Sequence, residues 1–150
     1  MHYEKYRQNV QTAAQWLDAN QCDAWLVATR ERSDPAVKAI LGSVVVGTGL
    51  YLVTKEGKAF LVANRIDIQE GRDSGVFDES FAYSGNFTEV AGKLLTNQIK
   101  PGARVCLNYS PEEPMADGMK LGLWRKLLRL LPDQCDFCSS EELLKELNLF

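Results

Sequence analysis

The side chains with the most distinctive chemistry are four cysteines, Cys22, Cys106, Cys135 and Cys138, and one histidine, His2. Cys135-Asp136-Phe137-Cys138 has the C-x-x-C spacing of half a zinc site or of a redox pair. A structural zinc takes four ligands, and Cys22, Cys106 and His2 form no second pair along the chain. A redox pair needs a helix N-terminus to lower a thiol pKa. Here the pair falls in a segment that reads as a strand, where residues i and i+3 point to opposite faces. Four free, structural thiols are expected. His2 lies in a terminal segment expected to be solvated, so no nucleophile–base set can be assembled and a small enzyme acting alone is disfavoured. No catalytic, cofactor-binding or metal-ligating residue is assigned to the chain.

Other groups are weaker. Gly42 to Gly49 resembles a phosphate loop, but a dinucleotide fingerprint runs strand, glycines, helix. Here the glycines precede a strand, and no P-loop lysine follows; a turn is expected. Paired carboxylates do acid–base work when their environments push the pKa values apart. Glu112-Glu113, between Pro111 and Pro114, instead reads as an exposed loop, and Glu141-Glu142 as first-turn acids facing a helix dipole. The charged run Arg30-Glu31-Arg32-Ser33-Asp34 follows the first strand, and loops at strand ends in α/β sheets carry binding groups. It shows no obvious internal partners. Arg30 and Asp34, with Arg65 of the similar Asn64-Arg65-Ile66-Asp67 stretch, are therefore candidate contacts to a partner domain or an active-site wall. The competing reading is a solvated turn capped by Ser33 or Asp34.

Alternating strands and helices must position these groups. Residues 4–20 carry Tyr6, Val10, Ala13, Ala14 and Leu17 on one helical face. Residues 24–29 are a continuous apolar run, as in a strand buried on both sides. Pro35 suits the first turn of a short helix that Gly42 stops. GLYLVT and AFLVA form a hairpin around Gly57. A helical stretch over 66–70 ends near Gly71, and a strand covers 76–83. Asn86 with Glu89 reads as a capping box opening a helix that Pro101-Gly102 closes. Residues 104–131 read as a strand, a loop and a long helix capped by Asp117. A strand over 135–138 and a helix from Ser139 towards Leu149 complete the chain. The fold class is α/β: a mixed, mostly parallel sheet of about six strands with helices on both faces.

The chain has 150 residues, 45% apolar and 25% charged, with net charge −3. That fits one globular domain. Lysines and arginines are scattered, so no nucleic-acid partner is expected. No apolar run is long enough to span a membrane, and the first residues lack a signal peptide's apolar region. Four cysteines without such a signal suggest a reducing compartment, the cytoplasm. The ending Leu-Asn-Leu-Phe has no Gly or Pro stop, so the chain is expected to be the first segment of a longer product.

Taken in order, DAWLVATRERSDPAV, the LYLVTKEGKAFLVA hairpin and NYS…ADGM resemble the N-terminal, non-catalytic domain of the creatinase, Xaa-Pro dipeptidase (prolidase) and aminopeptidase P metallopeptidases. One departure is Ala39-Ile40-Leu41-Gly42-Ser43, where many members carry Tyr-Leu-Ser/Thr-Gly-Phe. The resemblance implies a ribonuclease H-like architecture and an accessory role. Such a domain helps dimerise the parent enzyme and restricts access to its active site. The chemistry would belong to a downstream pita-bread domain holding two divalent ions (Mn, Co or Zn) with two Asp, one His and two Glu. The alternative is a stand-alone peptide- or protein-binding module of the same fold.

Overall fold

The computed structural model describes residues 3–43 and 45–150. His2, and Val44 within the glycine-flanked stretch, lie outside the described residues. Helix α1 (Glu4–Ala19) buries Val10, Ala13, Ala14 and Leu17 at three-four spacing. Strand β1 (Ala24–Thr29) is buried along its whole length. A short π-helical turn (Val37–Leu41) follows and stops at Gly42, whose φ of 67° is left-handed. Strands β2 (Gly49–Thr54) and β3 (Ala59–Asn64) form the expected hairpin, with Leu50 opposite Val62 and Gly57 at φ 92° in the turn. Then come α2 (Ile68–Ser74), β4 (Glu79–Tyr83), α3 (Phe87–Gln98), β5 (Arg104–Leu107), a 3-10 turn (Pro114–Ala116), α4 (Leu121–Leu128), β6 (Asp136–Ser139) and α5 (Glu141–Glu146).

The six strands form one sheet in the order β4-β3-β2-β1-β5-β6. The β1/β5, β5/β6 and β3/β4 pairs are parallel; the β1/β2 and β2/β3 pairs are antiparallel. One face carries Trp25, Val27, Tyr51, Val53 and Leu61 against α1, the π-helical turn, α2 and α5. The other carries Leu26, Leu50, Leu52, Phe60 and Val62 against α3 and α4. Burying each large aliphatic side chain of these layers contributes about 1.5–3 kcal/mol, so helices pack on both sheet faces without long individual stability.

Several boundaries differ from expectation, each for a local reason. Gly71 does not end α2. The helix runs through it to Gly75 (φ 70°), and a Cβ at Gly71 would sit 2.2 Å from Leu61 Cδ2, so the glycine allows close packing on β3. Strand β4 starts at Glu79 rather than Val76; Val76 is buried ahead of it, and Phe77 tilts against Tyr51 with ring centroids 5.9 Å apart. The capping box does not form. Asn86 Oδ1 instead accepts from the Ser84 N–H at 2.9 Å, and Glu89 pairs with Lys93 at the surface. Asp117 does not cap α4, which opens four residues later. Its carboxylate accepts from the Ser110 N–H at 3.1 Å and folds the preceding loop back on itself. Helix α4 stops at Leu128, short of Leu131.

The last helix has a stop signal after all. Asn148 adopts φ 61°, its N–H donates to the Lys145 carbonyl, and the Leu149 N–H donates to the Leu144 carbonyl. This is a Schellman motif with asparagine in the left-handed position. Leu147 is buried and Leu149 packs on the core, while Phe150 is 42% exposed.

Candidate functional site

Strand directions bring the candidate residues to one end of the sheet. Thr29, the last residue of β1, pairs with Gly49, the first of β2, while Leu50 pairs with Val62 near the end of β3. Strands β4, β5 and β6 run parallel to their neighbours β3, β1 and β5. The loops carrying Arg30, Arg65 and Tyr109 therefore emerge from the same edge of the fold.

A buried polar network holds that end together. The Trp25 indole N–H donates to Asn108 Oδ1 at 2.8 Å. Asn108 Nδ2 donates to Asp34 Oδ2 at 2.9 Å, and the Ala36 N–H donates to Asp34 Oδ1 at 2.9 Å. The Ser140 hydroxyl contacts both Asn108 Oδ1 and the Leu107 carbonyl. The Asp34 N–H donates to Thr29 Oγ1 at 3.3 Å, and the Arg30 N–H to Ser33 Oγ at 3.2 Å. Asn108 is fully buried and Asp34 is 4% exposed. Burial pushes the Asp34 carboxyl above its ordinary value, and the hydrogen bonds from Asn108 and Ala36 oppose that rise. Gly118 lies against the carboxyl so closely that a Cβ there would sit 2.2 Å from Asp34 Cγ. The ADG segment is thus a contact with the first loop rather than a helix start.

Asp34 consequently has the internal partners that sequence reading could not see. Its carboxylate caps the next turn and is held by Asn108. Arg30, Glu31 and Arg32 are exposed, with Glu31 at φ 53° and Arg32 at φ 59° turning the backbone sharply. Arg65 is also exposed and is followed by Ile66, which is 91% exposed. Asn64 Oδ1 accepts the Ile66 and Asp67 N–H groups at 2.9 and 2.8 Å. Asp67 Oδ2 in turn accepts the Val46 and Gly47 N–H groups at 3.0 and 3.4 Å. The glycine-flanked stretch is therefore pinned by a carboxylate, which is no arrangement for a phosphate. The end of the sheet so presents three arginines, Arg30, Arg32 and Arg65, together with exposed Val46, Ile66 and Tyr109. Beside it an apolar recess of about 390 Å³ is lined by Leu107, Tyr109, Met119, Leu121, Trp124 and Phe137.

The carboxylate pairs do local structural work. Glu113 accepts the Met115 N–H at 3.0 Å and caps the 3-10 turn; Glu141 accepts from the Ser110 hydroxyl. The C-x-x-C cysteines part as expected, Cys135 towards the α3/α4 layer and Cys138 towards the α1/α5 layer. All four cysteines are free. What sequence reading missed is that Cys138 lies opposite Cys106 in the β5/β6 register, with Cys22 beside both. The signal was alternation: Cys106 and Cys138 occupy matching faces of their strands, but only the strand order makes them neighbours.

No protein-family model matches the sequence, and no curated protein matches it significantly. Solved structures do match. The chain is similar to the prolidase from Pyrococcus horikoshii at 18% identity and TM-score 0.67, covering 93% of this chain and 34% of that one. It is similar to the prolidase from Thermococcus sibiricus at 15% identity and TM-score 0.72, covering 98% and 37%. It is similar to the creatinase/prolidase N-terminal domain of an X-Pro dipeptidase from Streptococcus pyogenes at 13% identity and TM-score 0.71, covering 93% and 98%. The chain thus spans about a third of the length of the two prolidases and nearly all of the isolated domain. With the six-stranded mixed sheet and its strand order already described, these matches establish that the chain has the fold of the creatinase/prolidase N-terminal domain.

Proposed function

We propose that the chain is the accessory N-terminal domain of a metallopeptidase that cleaves Xaa-Pro peptides and has no catalysis of its own. The observation that carries this reading is the end-to-end match to an isolated X-Pro dipeptidase N-terminal domain, beside matches to about a third of two prolidases. In this reading a downstream pita-bread domain supplies two Asp, one His and two Glu for two divalent ions, and the parent enzyme is a cytoplasmic homodimer. Four free cysteines suit a reducing compartment. The exposed Arg30 and Arg65, with Ile66 between the strand ends, face the catalytic domain or the second subunit and narrow access to the active site. Asp34 contributes by holding the loop that carries Arg30.

The test is hydrolysis of Xaa-Pro dipeptides by the purified chain with Mn²⁺, Co²⁺ or Zn²⁺. No turnover is expected. Metal-dependent turnover abolished by a chelator would contradict the accessory role. A second reading, a stand-alone peptide-binding module, is favoured by the open apolar recess around Leu121, which is 67% exposed, and Trp124. Saturable binding of apolar peptides by the chain, lost in Trp124→Ala, would select it.

A further inference from the structure

Three thiols converge where neither the accessory role nor the polar network uses them. Cys22 precedes β1, Cys106 lies in β5 and Cys138 in β6, all turned to the α1/α5 face of the sheet. Cys106 Sγ is 3.2 Å from Cys138 Sγ, Cys22 Sγ is 3.9 Å from Cys138 Sγ, and all three sulfurs lie within 4.8 Å of one another. Among the described residues no other His, Cys, Asp or Glu joins this group. Cys135 is on the opposite face of the sheet.

We propose that Cys22, Cys106 and Cys138 form a three-sulfur site for a soft monovalent cation of the Cu⁺ class. The geometry fits. A metal bonded to three sulfurs at about 2.3 Å sits in a triangle with edges of about 4 Å, and every observed edge is within about 1 Å of that. Ligand type and number select the ion. Thiolate sulfur favours Cu⁺ and Zn²⁺ over ions that prefer oxygen, and structural Zn²⁺ is almost always tetrahedral with four ligands. Three inward-facing sulfurs without a fourth partner suit a trigonal Cu⁺.

Proton and charge balance follow from burial. Cys22 and Cys106 are buried and Cys138 is partly exposed, so the ion enters past Cys138. Each of the three thiols gives up its proton to solvent as the metal binds, so three protons leave for each ion taken up. Three thiolates and one Cu⁺ leave a net charge of −2. The Arg104 guanidinium, which acts electrostatically on Cys22 and Cys138, offsets part of it. No oxidant or reductant is consumed; copper enters and stays as Cu⁺.

The experiment is an anaerobic titration of the reduced 150-residue chain with Cu⁺ in competition with bicinchoninate, followed by X-ray absorption at the copper edge. The expected result is one Cu⁺ per chain with three sulfur neighbours. Cys22→Ala and Cys138→Ala should each weaken binding by more than about 100-fold, beyond what loss of an outer-shell group costs. Cys135→Ser should bind as the parent does. Circular dichroism checks that each variant is folded, and the sulfur count on the unmutated chain stands even if one is not. Absence of stoichiometric binding, a two-sulfur copper centre, binding retained in folded Cys22→Ala and Cys138→Ala, or preferential uptake of four-coordinate Zn²⁺ would each overturn the proposal.

Discussion

Replacing Asn108 by alanine should loosen the sheet end that carries the charged loop. Asn108 is fully buried and serves both sides of a network, accepting from the Trp25 indole at 2.8 Å and donating to Asp34 at 2.9 Å. Alanine orphans the Trp25 N–H and one Asp34 oxygen, while the Ser140 hydroxyl keeps the Leu107 carbonyl as an acceptor. Each buried orphan costs about 1–3 kcal/mol. The expected loss is about 4 kcal/mol, equivalent to a fall in Tm of roughly 8–16 °C for a domain of this size. The pH dependence has a definite sign. Burial raises the Asp34 carboxyl and the Asn108 donor holds it down, so the variant raises it further. A carboxyl raised by folding binds its proton more tightly in the folded state, so stability falls as pH rises from the ordinary carboxylate range towards the folded value. The deficit of Asn108→Ala relative to the parent should therefore be largest at neutral pH and shrink on acidification. Thermal denaturation followed by circular dichroism at several pH values checks this. A variant melting with the parent, or a deficit that grows as the pH falls, would refute the network's role.

Further substitutions probe individual contacts. Gly118→Ala places a Cβ 2.2 Å from Asp34 Cγ; it should destabilise by about 1–3 kcal/mol through overpacking, read from the denaturant midpoint. Asn148→Val, at φ 61°, should cost about 1 kcal/mol or more, whereas Asn148→Gly should be neutral or stabilising, because only the latter accepts the left-handed conformation freely. In a full-length protein, Arg30→Ala and Arg65→Ala should change kcat/KM for Xaa-Pro substrates while shifting Tm by less than about 2 °C, as expected of exposed side chains.

The layers were legible because periodicity and burial agree. The three-four spacing in α1, the unbroken apolar run of β1 and the hairpin around Gly57 each admit one reading, and strands alternating with helices imply the sheet. Boundaries failed where a polar side chain had two competing partners. Asn86 and Asp117 both look like caps, but Asn86 bonds to Ser84 behind it and Asp117 to Ser110 across a loop. Gly71 looks like a stop because sequence cannot show that Leu61 presses on it. The site was half legible. The strand-end loops are legible in the sequence, but Asp34 looks there like a surface charge because its partners lie in Asn108 and Gly118, far along the chain. A buried tryptophan does demand an acceptor for its N–H; pairing Trp25 with Asn108 at the end of another strand was the available clue. The cysteine triad needed the strand order itself.

The most direct test of the accessory-domain account is Xaa-Pro dipeptide hydrolysis with Mn²⁺, measured side by side on the natural translation product that contains this chain and on the 150-residue chain alone. The account predicts chelator-sensitive turnover by the natural product and none by the isolated chain. A natural product that ends at Phe150, or one that is inert towards Xaa-Pro dipeptides while the isolated chain binds peptides, would contradict it.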